Sequence, residues 1–343
     1  MDILELIKPK DLLDFSQSFS VTRNYLGDRI FPDNKTPNLN AEFYRLSDQR
    51  MLPTMALVHA FDSEAHIGTR PTAEKVKLEK MFIKEKINQS ERVQLWQDNG
   101  ISAVNDIVNY IFDDVARLSE SVKTRTEVMK CDLLQQGSIK VKENNISFTV
   151  DYGVPSVNKI AFDWSADTAD VMGDIQTMID TAKDLGQNID TVITTSKVLI
   201  RMRKNKGLQT AILGTNGQGT FLSLAQLNAF LQENYGFTLT TYDERYQYEK
   251  KDKTLVAKRY IDENKFIGIA TLPNKTAGVG LWGVTPEEKA VAPWTEKSAK
   301  QFITSVMWNE PDPVATWTKA AGLFIPVMPN PKGLFIGTIK LTA

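Results

Sequence analysis

SAVNDIVNYIFDDVARLSESVKTRTEVMKCDLLQQ, residues 102–136, runs across Gly137 into SIKVKENNISFTVDY, residues 138–152. The first stretch is the longest uninterrupted helical pattern in the chain. At roughly 100° per residue, Val104, Ile107, Ile111, Val115, Leu118, Val122, Thr126, Met129 and Leu133 fall within an arc of about 100°. Asp106, Asn109, Asp113, Arg117, Glu120 and Glu127 take the opposite side. Asp113 before Arg117, Glu120 before Lys123 and Glu127 before Lys130 have the spacing of pairs on a solvated helix face. Ser102 suits the start, and Gly137 suits the left-handed residue that ends a helix. Such a helix is about 50 Å long, more than a compact domain needs. The second stretch turns on Asn144 and Asn145 between two alternating runs, which predicts a β-hairpin. Together they describe a spine rather than an active site.

Around that spine the chain has 343 residues, 42% hydrophobic and 24% charged, with 41 basic and 42 acidic residues. These values describe an ordinary soluble protein of two modest domains or one elongated one. The balanced charge argues against a sequence-specific DNA reader. Cys131, the one cysteine, excludes an intramolecular disulfide framework and fits a reducing compartment. The wheel places it on the polar side of the long helix as an inert thiol. The amphipathic start MDILELIKPKDLLDF lacks the apolar core of a secretion signal, and no apolar run approaches membrane-spanning length. The expectation is a soluble protein made in the cytoplasm, with no membrane partner.

Upstream of the spine, residues 2–16 have an apolar side that suits a short helix, limited by Pro9. Residues 16–53 carry scattered aromatics without a sustained period. They suit either an arm lying across this or a neighbouring subunit, or an irregular edge of the main domain. Met55 to Ile87 has the pattern of a long hairpin, its tip SEAHIGTRPT rich in turn formers. Its second strand carries Lys75, Lys77, Lys80, Lys84 and Lys86. Glu74, Glu79 and Glu85 offset that charge, so a solvated or intersubunit face is favoured over a phosphate-binding one. A short helix is expected over Ser90–Gln97.

Downstream, the pattern becomes mixed α/β. Helices are expected over Ala169–Leu185, over SKVLIRMRKN with Ser196 as cap, and over LSLAQLNAFLQENYG ending at Gly236. IDTVITT, FTLTTYD and KFIGIATLP have strand character. The alternation of Leu334, Ile336, Thr338 and Lys340 predicts a closing strand that returns to the sheet near the spine.

Nothing assembles into a catalytic site. The glycine-rich Gly214–Thr220 lacks the lysine of a phosphate loop and fails the dinucleotide spacing, so a surface loop is favoured. His59 and His66 lack clustered metal ligands. The GxSxG motif is absent. Glu287 and Glu288 suit a solvated turn rather than an acid/base pair. Trp282, Trp294, Trp308 and Trp317 suit packing or interface anchoring, because no basic stripe accompanies them. No catalytic, cofactor-binding or metal residue is therefore assigned, and no cofactor or enzymatic activity is expected.

The order of these parts, with MALVHAFDSE, GSIKVKENNISFTVDYG, AGVGLWGVTPEE and SVMWNEPDPVATWTKAAGLFIPVMPNPKGLFIGTIKLTA, resembles the lambda-type capsid protein E family of tailed-bacteriophage major capsid proteins. The resemblance covers most of the chain and is faint over Gln187–Lys265. It implies an α+β chain of the Hong Kong 97-type fold. Residues 1–52 would be an N-terminal arm and 53–89 an extended β-hairpin loop. Residues 90–156 and 300–343 would form the peripheral domain, with spine helix 102–136. Residues 157–299 would form a mixed α/β axial domain, whose loops, such as 203–220, are candidates for the capsomer centre. The implied function is self-assembly as pentamers and hexamers into an icosahedral head enclosing double-stranded DNA without sequence specificity. Scaffolding and portal proteins, and a possible decoration protein, would be partners. The implied location is the virion, assembled in the bacterial host cytoplasm through a procapsid that expands. The alternative is another phage structural protein, such as a tail tube or head decoration protein.

Overall fold

The computed structural model describes residues 23–45, 55, 74–89, 101–250, 252–289, 296–300, 302–312 and 314–342. The expected helices at 2–16 and 90–97, the first arm of the 55–87 hairpin, His59, His66 and Trp294 lie outside the described residues. Along the chain, α1 (Leu26–Ile30) leads to β1 (Asp33–Lys35), β2 (Asn40–Arg45), β3 (Glu74–Glu79) and β4 (Met81–Gln89). Then come α2 (Ile101–Gln136), the hairpin β5 (Ser138–Glu143) and β6 (Ile146–Asp151), and β7 (Lys159–Asp163). Next are α3 (Val171–Asp184), β8 (Thr191–Thr194), α4 (Ser196–Lys204), α5 (Lys206–Leu213), α6 (Leu224–Tyr235) and β9 (Thr238–Thr241). A second hairpin, β10 (Arg245–Glu249) and β11 (Leu255–Arg259), precedes β12 (Lys265–Ile269), β13 (Val279–Trp282) and α7 (Pro286–Lys289). The chain closes with β14 (Glu296–Lys300), β15 (Ile303–Pro311), β16 (Val314–Val327) and β17 (Leu334–Lys340).

The described residues fall into two compact units. One lies within Met1–Ala41, Lys77–Lys130 and Val279–Val327; the other lies within Glu42–Val76, Cys131–Gly278 and Met328–Ala343.

In the first unit β16 is the axis. β15 pairs with Thr304–Pro311 against Val314–Ala321, and β13 pairs further along at Val279–Trp282 against Phe324–Val327. β4 pairs with Thr316–Phe324 of the same strand, on the edge opposite β15. β14 pairs with β15, and β1 adds in parallel to β13. The long helix packs here through Val115, Leu118, Val122 and Met129, each no more than 3% exposed. Close approach depends on Gly322, where a Cβ would meet the Trp282 ring at 2.8 Å and Val122 Cγ1 at 3.0 Å.

In the second unit five strands run in the order β7-β17-β12-β8-β9. Trp164, Phe237, Phe266 and Phe335 are fully buried on this sheet with Ile175 and Met178 of α3 and Leu227 and Leu231 of α6. α6 begins in a capping box, Ser223 with Gln226, and ends at Gly236 in the left-handed conformation. The β5–β6 hairpin turns on Asn144 and Asn145, with φ of 48° and 62° as a type I′ turn requires.

Several expectations are corrected. β17 does not return to the sheet beside the spine helix: it lies between β12, antiparallel, and β7, parallel. The 300–343 segment is therefore split, β15 and β16 serving the first unit and β17 the second. Both faces of β17 are apolar at Leu334–Gly337 and buried, which only a two-sided core accommodates. Cys131 is fully buried, not on a solvated face, because the helix from Thr126 to Leu134 is covered on nearly all sides. The stretch 203–220 is not all loop; Asn205, whose side chain accepts the Leu208 N–H, starts α5. Ser196 is the first helical residue rather than the cap. Its N–H is satisfied by the Asp243 carboxylate, 3.0 Å away, from the segment that follows β9. Residues 25–35 dock within the first unit, with Leu26, Ile30 and Phe31 buried, as an irregular edge would.

Candidate functional site

The densest electrostatic site among the described residues joins the N-terminal segment to the long helix. α1 is only five residues long and cannot hold its own ends. The N–H of Gly27 donates to both carboxylate oxygens of Glu127, at 3.0 and 3.1 Å. Lys130, with no exposed side-chain area, donates to Asp28 at 2.6 Å and Asp33 at 2.9 Å. Lys123 donates to the other oxygen of Asp33 at 2.5 Å. Gly27 is required at this crossing: a Cβ there would lie 2.2 Å from Glu127 Oε2 and 2.7 Å from Lys130 Cδ. Glu127 and Lys130, expected as a solvated pair, are thus buried anchors for residues a hundred positions upstream.

Burial opposes the charge on Asp33, but Lys130 and Lys123 outweigh it and hold the carboxyl below its ordinary value. Burial likewise opposes charge on Lys130, and Asp33 and Asp28 outweigh it and raise the ammonium above its ordinary value. A carboxylate with a lowered folded pKa contributes stability that is complete above its unfolded pKa and is lost as pH falls through the folded value. Asp33 should therefore add to acid sensitivity only below the carboxylate's ordinary 3.8. Denaturant titrations from pH 7 to pH 2 should show Asp33→Asn less stable at neutral pH and the gap to the parent closing only in the most acidic samples. A gap independent of pH would contradict the assignment.

A second buried cation, Lys80, breaks the run between β3 and β4. Its ammonium donates to Thr36 O at 3.2 Å, Thr36 Oγ1 at 2.6 Å and Asn38 O at 2.5 Å. Burial among neutral acceptors lowers its pKa. Lys80 thus ties the chain after β1 to the base of the segment expected to project as a loop. β3 pairs with β2 and β4 with β16, so this lysine-rich run is integrated into sheets at its described end.

Glu287 is 5% exposed and pairs with Lys319 of β16, while Glu288 pairs with Lys35 at 2.9 Å. The solvated turn expected there is corrected, because α7 sets both acids against cations of the first unit's sheet. Trp282 is fully buried, its ring 4.9 Å from Phe324 and 5.5 Å from Phe302. Trp308 and Trp317 stack at 6.2 Å across β15 and β16, with Lys86 Nζ 3.8 Å from the Trp317 ring centroid. The glycine-rich turn is largely exposed, with Gly214 and Gly219 at positive φ. Phe221 beside it is 73% exposed, and Leu255 on β11 is 65% exposed. Among the described residues, no three His, Cys, Asp or Glu side chains gather in a metal-holding group, and no helix is long and apolar enough to cross a membrane. The geometry is that of anchored extensions and exposed apolar points, suited to binding.

Comparison with known proteins agrees. The model of the family described as phage major capsid protein E matches residues 10–339. Among solved structures, a proposed prophage capsid protein of E. coli CFT073 is similar with a TM-score of 0.63 at 15% identity, covering 97% of this chain and 99% of that one. A phage-related protein of Bordetella bronchiseptica is similar with a TM-score of 0.57 at 8% identity, covering 97% of each chain. At these identities the two structures establish a shared fold. No curated protein matches the sequence.

Proposed function

Because the chain belongs to the phage major capsid protein E family, whose members are structural proteins of the phage head, we propose that its copies assemble as pentamers and hexamers into an icosahedral head enclosing double-stranded DNA. The observation that carries this reading is the family match along residues 10–339. The fold gives it a physical basis. Most of the spine helix, with the β16-centred sheet of the first unit, serves as the peripheral domain. The five-stranded sheet of the second unit, whose strands β7, β8, β9 and β12 lie within residues 157–299, serves as the axial domain. Residues 1–52 act as the arm, of which 25–35 is the docked root, and 53–89 act as the extended loop, with Lys80 fastening its base. Large shared interfaces summed over a closed symmetric shell give stability that no single contact supplies.

Scaffolding and portal proteins are the partners of assembly, a decoration protein is a possible addition to the finished shell, and the near-neutral net charge of −1 suits a wall that encloses DNA without reading its sequence. The shell is built in the host cytoplasm and ends in the virion. Deletion of residues 63–72 tests the loop assignment. The shortened chain should fold, by circular dichroism, and fail to form shells on size exclusion. Normal shells from it would contradict the assignment.

A further inference from the structure

Charge in the second unit is segregated by sign. Residues 163–190 contain seven aspartates and one lysine, whereas residues 191–232 contain five lysines or arginines and no acid. On α3, Asp170, Asp174, Asp180 and Asp184 fall within an arc of roughly 120° at 100° per residue. Asp180 and Asp184 are exposed and make no ion pair within the described residues. On the basic side, Lys197 and Arg201 are used internally, by Glu263 and Asp167. Arg203, Lys204 and Lys206 have no acidic partner among the described residues, and both lysines are exposed. The Arg203 guanidinium lies 4.2 Å from the ring centroid of exposed Phe221. Buried Gln209 donates to Arg203 O at 2.9 Å and accepts the Gly219 N–H at 2.8 Å, which holds the glycine-rich turn against this corner. The result is a basic corner with an exposed aromatic ring beside Arg203.

We propose that this corner binds the acidic face of α3 on a second copy of the chain, as a head-to-tail contact within a ring. A nucleic acid would match the basic corner and leave the α3 aspartates unmatched, and a basic partner would do the reverse. Another copy of this chain satisfies both surfaces with one contact. A two-fold contact through either patch alone would set like charges face to face, whereas a head-to-tail contact uses each patch once and closes into a ring. Phe221 supplies apolar area beside Arg203, and the charges set partner and direction more than affinity. The proposal rests on the shell-subunit reading and specifies one of its contacts.

Charge reversal tests it. Asp180→Lys with Asp184→Lys, and separately Lys204→Asp with Lys206→Asp, alter exposed positions and should leave the fold intact by circular dichroism. Each pair should slow assembly, followed by light scattering at low salt, by about tenfold or more. Combining all four changes in one chain should restore it, because the exchanged charges then match at every contact of a ring of five or six. Unchanged assembly in both variants would overturn the contact while leaving the shell reading standing. Loss confined to the basic-side variant, together with weaker retention of DNA, would overturn it in favour of a nucleic-acid surface. A parent chain that forms no oligomer would overturn the contact and the shell reading together.

Discussion

Lys130→Ala is expected to lower the unfolding free energy of the unassembled chain by about 3–5 kcal/mol, the usual cost of removing one partner from a buried ion pair. Lys130 has no exposed side-chain area, and its ammonium meets Asp28 and Asp33. Without it, Asp33, itself only 9% exposed, keeps Lys123 alone as counter-charge. The loss has two separable parts. One is the uncompensated carboxylate. The other is the packing of the lysine stem against two glycines, since a Cβ added at Gly27 would meet Lys130 Cδ at 2.7 Å and one at Gly280 would meet Cε at 3.2 Å. Pairing Lys130→Met with Asp33→Asn restores apolar volume and removes the stranded charge, so the double variant should be more stable than Lys130→Ala. Denaturant midpoints of Lys130→Ala, Lys130→Met and the Lys130→Met/Asp33→Asn pair separate these contributions, the first step reading packing and the second the stranded charge. Equal midpoints for Lys130→Met and the pair would mean that charge burial contributes nothing. Hydrogen exchange should show residues 26–35 opening first in Lys130→Ala, because the segment then loses its central tie to the long helix.

Trp282→Ala should cost a similar amount, about 3–5 kcal/mol for emptying a buried aromatic site. The ring fills the space between Phe324, Phe302 and the glycine at 322, and Lys123 Nζ lies 5.3 Å from its centroid. Its indole N–H has no hydrogen-bond partner among the described residues. The contribution of Trp282 is therefore packing rather than polar, and Trp282→Phe should retain more than half of the stability that alanine loses. A phenylalanine variant as unstable as the alanine one would point to an essential N–H interaction.

The parts of this fold legible in the sequence are those decided by neighbours in the chain. The long helix begins within one residue of expectation and ends where Gly137 adopts a φ of 71°. The Asn144–Asn145 turn and the Ser223–Gly236 helix follow from capping and turn chemistry alone. What stays hidden is decided by distant residues. A helical wheel assigns Glu127, Lys130 and Cys131 to solvent because charge marks the exposed face. Around Glu127 and Lys130 that face is covered by α1 and β1, which supply the matching N–H and carboxylates. The alternation in Leu334–Lys340 identifies a strand but not its sheet, since its partners β7 and β12 lie far upstream in the chain. α5 carries a usable signal, an Asn205 cap before Leu208, but eight residues give too few turns for a period to show. The assembly elements are legible as order and resemblance rather than as a constellation of reactive side chains. A binding protein spreads its function over surfaces, and single-sequence patterns do not distinguish a surface that meets water from one that meets another copy.

Electron microscopy of the expressed chain, alone and with the scaffolding protein proposed for it, tests the central claim most directly. Closed shells in which subunits form rings of five and six are expected. A chain that stays strictly monomeric under both conditions would contradict it.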